Sequence, residues 1–235
     1  MIKILIIIPS YNEANTLPLI LEQLLLLKLP GHYQMEIAVV NDCSKDDTKM
    51  VAGLYPIVVL DLLVNLGIGG AVQTGFLYAN ENGFDIAVQL DGDGQHPPAE
   101  LLKLLDCYEK TKANIVIGSR FLSEEGFKSS FARRVGIRYF HWLNKLFTGK
   151  NIYDSTSGFR LFDREVIALA AEKYPDEYPE PASLVLFSKA GFSIWETAVV
   201  MSERLAGKSS IRNFVSLYYC VKVTISMLFL FIRKS

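Results

Sequence analysis

Across the first 120 residues, five short runs of Ile, Val and Leu alternate with four stretches that carry apolar residues at helical spacing. This alternation leaves few folds open. The runs are "IKILIIIP", "MEIAVVND", "IVVLDL", "FDIAVQLD" and "ANIVIGSR". A strand apolar at every position is one covered on both faces, as in a parallel sheet between two helical layers. Between the runs, "YNEANTLPLILEQLLLLKL" predicts a helix with Asn12 or Asn15 as cap. "KDDTKMVAGLY" predicts a short helix, and "GGAVQTGFLYANENG" one that stops at Asn82-Gly83. "PPAELLKLLDCYEK" predicts another, with Pro97 or Pro98 in its first turn. The expectation is an α/β fold with a mostly parallel central sheet flanked by helices. At 235 residues it makes one large domain, or one domain with an appendage.

In such sheets ligands bind outside the carboxyl ends of the strands. That rule collects three polar clusters on one edge: Pro9 to Glu13, Asn41-Asp42, and Asp91-Gly92-Asp93. After Arg120 the alternation weakens. "FLSEEGFKSSFA" reads as a mobile loop and "RRVGIRYFHWLNKLF" as a helix. "NIYDSTSGFRLFDREVIALAAEKY" reads as a loop, a short strand and a helix. "YPDEYPEPAS" predicts a proline-rich connection, "FSIWETAVVM" a late strand and "SERLAGKSSI" a polar loop.

Asp91 and Asp93 present, just past a strand, the oxygen pair that a hard divalent ion such as Mg²⁺ or Mn²⁺ takes. Gln95 is a further neutral oxygen, and His96 is a ligand or a neighbour of the ligands. The bland alternative is a solvated Asp-Gly turn. "NLGIGGAVQTG" has Gly67 and Gly69 but Val72 where a dinucleotide fingerprint needs its third glycine, and it follows the third strand, so a nicotinamide site is disfavoured. Its glycines bring a helix N-terminus to a donor or permit tight packing. Arg120, Arg133, Arg134, Arg204 and Lys208 lie in loops or at element ends. They are ordinary surface cations one by one, and a phosphate clamp if they converge. His32 and His141 read as packing or surface residues. The net charge of -1 argues against nucleic acid as a partner, and three scattered cysteines read as reduced thiols.

Taken together, "IIIPSYNEANTL", "VVNDCSKDDT", "NLGIGGAVQTG", "LDGDGQHPPAEL", "IGSRF", "RRVG", "DSTSGFRLFDRE" and "ERLAGKSS" resemble, in order, the motifs of glycosyltransferase family 2. Within it they are similar to the dolichyl-phosphate mannose synthase and polyprenyl-phosphate sugar transferase branch. The likeness runs from Ile4 to about Ile211. Asn41 and Cys43 stand where the family's second motif carries Asp and Gly, while Asp42 remains.

The resemblance implies a GT-A fold and an inverting, metal-dependent transfer from a nucleotide-diphosphate sugar. The acceptor would be a polyprenyl phosphate or a lipid-linked glycan, in cell-envelope polysaccharide or glycoconjugate synthesis. It implies that Pro9, Tyr11, Glu13, Asp42 and Gly69 line the nucleotide site, and that Asp91, Asp93 and Gln95 hold Mg²⁺ or Mn²⁺. Arg204 and Lys208 would then face the diphosphate, and Arg120, Arg133 and Arg134 an acceptor phosphate. A phosphate acceptor is already ionised near neutral pH and needs positioning, whereas a sugar hydroxyl needs a base; Asp154 and Glu180 are the candidates. The alternatives are a soluble transferase with a glycan or protein hydroxyl acceptor, a nucleotidyltransferase, or a non-catalytic sugar-nucleotide-binding module.

Residues 1–211 are expected to form the transferase domain and residues 212–235 an apolar C-terminal helix. Lys222 near the middle of "NFVSLYYCVKVTISMLFLFIRKS" speaks against a simple membrane span. Two readings remain. One is a helix on the membrane surface with Arg212, Arg233 and Lys234 at the headgroups, giving a peripheral protein on the cytoplasmic face. The other is a core helix or a homo-oligomer interface.

Overall fold

The structure, a computed structural model, describes residues 1–122, 131–176, 179–201 and 213–232. Within these, side chains 131–135, 137 and 213–219 are not described. The expected loops around residues 123–130 and 202–211 lie outside the described residues, as do Arg204, Lys208, Arg212, Arg233 and Lys234.

The chain alternates as expected. β1 (Ile2–Ser10), α1 (Leu17–Leu26), β2 (Tyr33–Asn41), α2 (Thr48–Ala52), β3 (Val58–Asp61), α3 (Gly67–Glu81) and β4 (Ile86–Gln89) come first. A 3-10 turn at Pro98–Glu100 leads into α4 (Leu101–Thr111), then β5 (Ile115–Ser119) and α5 (Phe131–Thr148). β6 (Arg160–Asp163), α6 (Arg164–Lys173), α7 (Pro179–Lys189), β7 (Ile194–Ala198) and α8 (Asn213–Ile232) complete the described elements. One seven-stranded sheet has the order β3-β2-β1-β4-β6-β5-β7. Only β6 runs antiparallel, between β4 and β5.

β1 explains the two-sided apolar runs. Ile4, Ile6 and Ile8 face one core with Leu17, Leu21 and Leu24 of α1 and Leu101 and Leu104 of α4. Leu5 and Ile7 face the other core, with Val72 and Phe76 of α3, Val166 and Ile167 of α6, and Phe187 of α7. Each such burial contributes about 1.5–3 kcal/mol relative to exposure. From β1 the chain turns to β2 on one side, and β4 pairs on the other, so a crevice opens beyond Ser10 and Gln89.

Two local expectations are corrected. Neither Asn12 nor Asn15 caps α1: Thr16 stands at the cap position without a side-chain cap bond. Asn12 instead has φ 58° and its side chain accepts from Lys45 N at 2.8 Å. The proline-rich connection is shorter than expected: Tyr174–Asp176 lie outside any helix, but from Pro179 on the stretch is the start of α7, since Pro179 and Pro181 fall in a first turn whose N–H groups have no helical partner anyway. The last described element, α8, packs on α5 and α7. Among the described residues no helix is long and apolar enough to cross a membrane.

Candidate active site

The Asp91–Gln95 turn leaves the carboxyl end of β4 and is pinned at several points. Thr16 Oγ1 at the head of α1 donates to the Gly92 carbonyl at 2.8 Å. Gln95 N donates to Asp93 Oδ1 at 3.0 Å, and Gly94 takes φ +76°, a conformation that favours glycine. Asp93 is only 7% exposed, while Asp91 is about a third exposed. Gln89 Nε2 lies 3.4 Å from Asp91 Oδ1. On the opposite side, Gly158 presses its backbone against the same carboxylate: a Cβ there would stand 2.5 Å from Asp91 Oδ2. His96 is buried against Phe159, ring centroids 5.0 Å apart, with Nε2 4.0 Å from Asp91 Oδ2 and Nδ1 unpartnered. Burial pushes the ring pKa down to about 4, against the pull of the Asp93 charge, so the ring is neutral at pH 7.

This donor set fits a hard divalent ion. Two carboxylate residues share one rigid turn, and the glycine cradle leaves the space that Asp91 occupies. Among the described residues no third His, Cys, Asp or Glu joins them. That suits Mg²⁺ or Mn²⁺, which take one or two carboxylates and fill the remaining positions with water and substrate phosphate.

Across the crevice, Asp42 is buried at the end of β2. Its Oδ1 accepts from Leu66 N at 2.6 Å, its Oδ2 from Gly67 N at 2.9 Å, and its carbonyl from Asn65 Nδ2 at 3.0 Å. The carboxylate thus anchors the glycine loop at the positive end of α3. Glu13 N donates to Thr48 Oγ1 at 2.8 Å, and Glu13 Oε2 accepts from Thr16 Oγ1 at 2.8 Å. Pro9 is the last residue but one of β1, and Tyr11 just beyond the strand is exposed. Gly69 has the packing role of the two envisaged, because a Cβ there would meet the Asp176 carbonyl at 2.1 Å.

On the third side, Arg120 follows β5 and is clamped by buried Asp154. Arg120 Nε donates to Oδ2 at 2.7 Å, Nη2 to Oδ1 at 2.6 Å and the backbone N to Oδ2 at 2.9 Å. Nη2 also donates to Thr156 Oγ1 at 2.8 Å. Glu196 of β7 supports this loop, accepting from Tyr153 N and Asp154 N at 2.8 Å each. Both Asp154 oxygens are therefore held by the guanidinium, which orients Arg120 and ill suits Asp154 to act as a base. Glu180, in the first turn of α7, has its carboxyl pKa raised by burial and then by the Asp91 charge, with Arg160 and a hydrogen bond from Gln89 opposing. Arg133 and Arg134 fall in the first turn of α5, where only the backbone is described.

Sequence reasoning missed Arg160, Glu196 and Gly158. Arg160 is fully buried and donates to the carbonyls of Ser157 and Ser155 at 2.7 Å, to that of Glu180 at 2.8 Å and to Ser183 Oγ at 3.1 Å. The available signal was a lone charge inside the apolar strand "GFRLF", which requires a buried partner set.

The family model described as "Glycosyl transferase family 2" matches residues 5–169. The polyprenol monophosphomannose synthase of Mycolicibacterium smegmatis is 30% identical over 220 residues, spanning 88% of this chain and 80% of that protein. The UDP-N-acetylglucosamine–dolichyl-phosphate N-acetylglucosaminyltransferase of Methanococcus voltae is 29% identical over 216 residues, 83% of this chain and 84% of that one. Among solved structures, glucosyl-3-phosphoglycerate synthase from Mycobacterium tuberculosis with Mn²⁺, UDP and phosphoglyceric acid superposes with a TM-score of 0.72. It is 20% identical, and the match covers 99% of this chain and 80% of that one, a likeness of fold.

Proposed function

The chain belongs to glycosyl transferase family 2, and from that premise we propose that it moves a sugar, with inversion, from a nucleotide-diphosphate sugar to a polyprenyl phosphate. In the notation of the reaction, an acceptor phosphate oxygen bonds to the anomeric carbon while the bond to the donor diphosphate breaks and the nucleoside diphosphate departs. Lipid-linked sugar for cell-envelope polysaccharide or glycoconjugate synthesis is the product class. The carrying observation is the Arg120–Asp154 clamp: the site offers a fixed cation beside the crevice, and its nearest buried carboxylate is spent on holding it. An acceptor that is already an anion needs that cation and no base. The names of the Mycolicibacterium and Methanococcus relatives point to the same acceptor class.

In this reading Asp91 and Asp93, with Gln95, hold Mg²⁺ or Mn²⁺, which when bound neutralises charge developing on the leaving diphosphate. Pro9, Tyr11 and Glu13 line the nucleotide pocket, and Asp42 shapes it by fixing the Asn65–Gly67 loop. Arg204 and Lys208 face the diphosphate, and Arg133 and Arg134 join Arg120 at the acceptor phosphate. Glu180 lies close to Asp91 and hydrogen-bonds Gln89. Residues 1–211 act as the transferase domain and residues 212–235 as an element that docks it on the cytoplasmic face of a membrane.

A donor screen with Mg²⁺ or Mn²⁺ tests this. Wild-type protein should release nucleoside diphosphate from one donor in proportion to added polyprenyl phosphate. Asp93→Ala should lose at least 100-fold in turnover, and also the metal-dependent part of nucleotide binding, with its melting temperature kept. Full turnover in that variant refutes the metal assignment. Transfer to a glycan or protein hydroxyl, with polyprenyl phosphate ignored, refutes the acceptor.

A further inference from the structure

We propose that α5 and α8 form one continuous face that sits on an anionic phospholipid surface, with Trp142 inserted at the interface. The inference deepens the membrane part of the functional reading and adds α5, to which that reading gave no membrane role.

The inner sides of the two helices are accounted for. Phe140 and Leu143 of α5 and Val223 and Met227 of α8 are buried with Ala182 and Val185 of α7. Tyr139 Oη and Thr224 Oγ1 lie 2.6 Å apart, and the Phe147 and Phe231 rings 5.3 Å apart, along the α5–α8 seam. Successive helical residues turn by about 100°, so the residues beyond these contacts fall on the side away from α7. On α5 these are Trp142 and Leu146, each 58% exposed. On α8 they are Val221, Ile225, Leu228, Phe229 and Ile232, with Phe229 72% and Ile232 67% exposed. The two stripes flank the same seam and together expose seven large apolar side chains, more than singly scattered surface residues.

Charge selects the occupant. The eighteen residues of α5 and twenty of α8 include Arg133, Arg134, Arg138, Lys145 and Lys222 and neither Asp nor Glu, in a chain whose net charge is -1. Arg138 and Lys145 are exposed one turn either side of Trp142. A two-fold dimer through this face would set the same cations against one another, because an isologous contact pairs a patch with itself. Anionic headgroups meet the cations, acyl chains meet the stripe, and an indole prefers the boundary between them.

The chain has two tryptophans, so Trp195→Phe leaves Trp142 as sole reporter in the full-length protein. The variant is mixed with vesicles of phosphatidylcholine, or of equimolar phosphatidylcholine and phosphatidylglycerol, without donor, metal or polyprenyl phosphate. The expected result is a blue-shifted emission quenched by brominated acyl chains, with binding to the anionic vesicles at least 10-fold tighter. Adding Ile225→Glu and Phe229→Glu should weaken that binding at least 10-fold at an unchanged melting temperature, since both side chains are already exposed. Absence of binding, binding with Trp142 unquenched, or a vesicle-free dimer in sedimentation that buries Trp142 each overturns the proposal. Because the assay contains no substrate, an inactive protein that binds and an active one that does not are told apart.

Discussion

Asp91 is closely confined by its surroundings. The Gly158 backbone lies against one side of the carboxylate, Gln89 lies by one oxygen and the His96 ring near the other. The Asp-Gly-Asp spacing made a metal turn legible in the sequence. Gly158, 67 positions later, carried no signal because its importance is steric and belongs to the pair. His96 was legible as a neighbour of the ligands, but its burial was not. That burial has a consequence for stability. The folded ring titrates near 4 and a free imidazole near 6.5, so between these values the unfolded chain binds the proton and the folded one does not. The contribution of His96 to stability is therefore level above pH 6.5 and falls as pH drops towards 4, by about 3 kcal/mol in all. Denaturant melts in EDTA at steps between pH 7.5 and 4 should show this slope in the wild type and lack most of it in His96→Leu.

At the scale of elements, β6 and α7 carry what the pattern did not reveal. The first five strands read directly from continuous apolar runs: β1, β2, β4 and β5 bury residues on both faces, while β3, at the sheet's edge, is only partly buried. β6 is four residues long, has a charged residue at each end and runs backwards, so only its pairing with β4 and β5 defines it. Arg160 is in register with Gln89 and Ile117, and its guanidinium ties the Ser155–Ser157 loop to the first turn of α7. One buried side chain thereby sets the loop carrying Asp154 and Gly158 against the element carrying Glu180. Arg160→Met removes the donors from three backbone carbonyls and should cost about 3–5 kcal/mol in urea unfolding. A variant as stable as wild type would show that the loop and α7 hold their places without this brace.

For the whole molecule, α8 is both a lid on a core and an outer surface. Val223 and Met227 cover Phe140, Leu143, Ala182 and Val185, so a chain ending at Ile211 exposes that cluster. Such a truncation should lower the melting temperature by several degrees and bind a hydrophobic dye, whatever happens to membrane binding; surface substitutions on α8 separate the two effects. The sequence by itself determined the α/β class, the strands of the sheet's centre and the edge at which Pro9–Glu13, Asn41-Asp42 and Asp91–Asp93 follow their strands. Each follows from local periodicity and from the rule that loops after parallel strands share one side. Only the tertiary structure decided that Asp42 holds a loop and that Asp154 is occupied by Arg120. It alone decided, too, that the second half of the proline-rich stretch opens a helix and that α5, α7 and α8 bury one apolar cluster between them. Those outcomes depend on which distant groups meet, and a buried hydrogen bond or a steric fit is a property of the pair, absent from either residue alone.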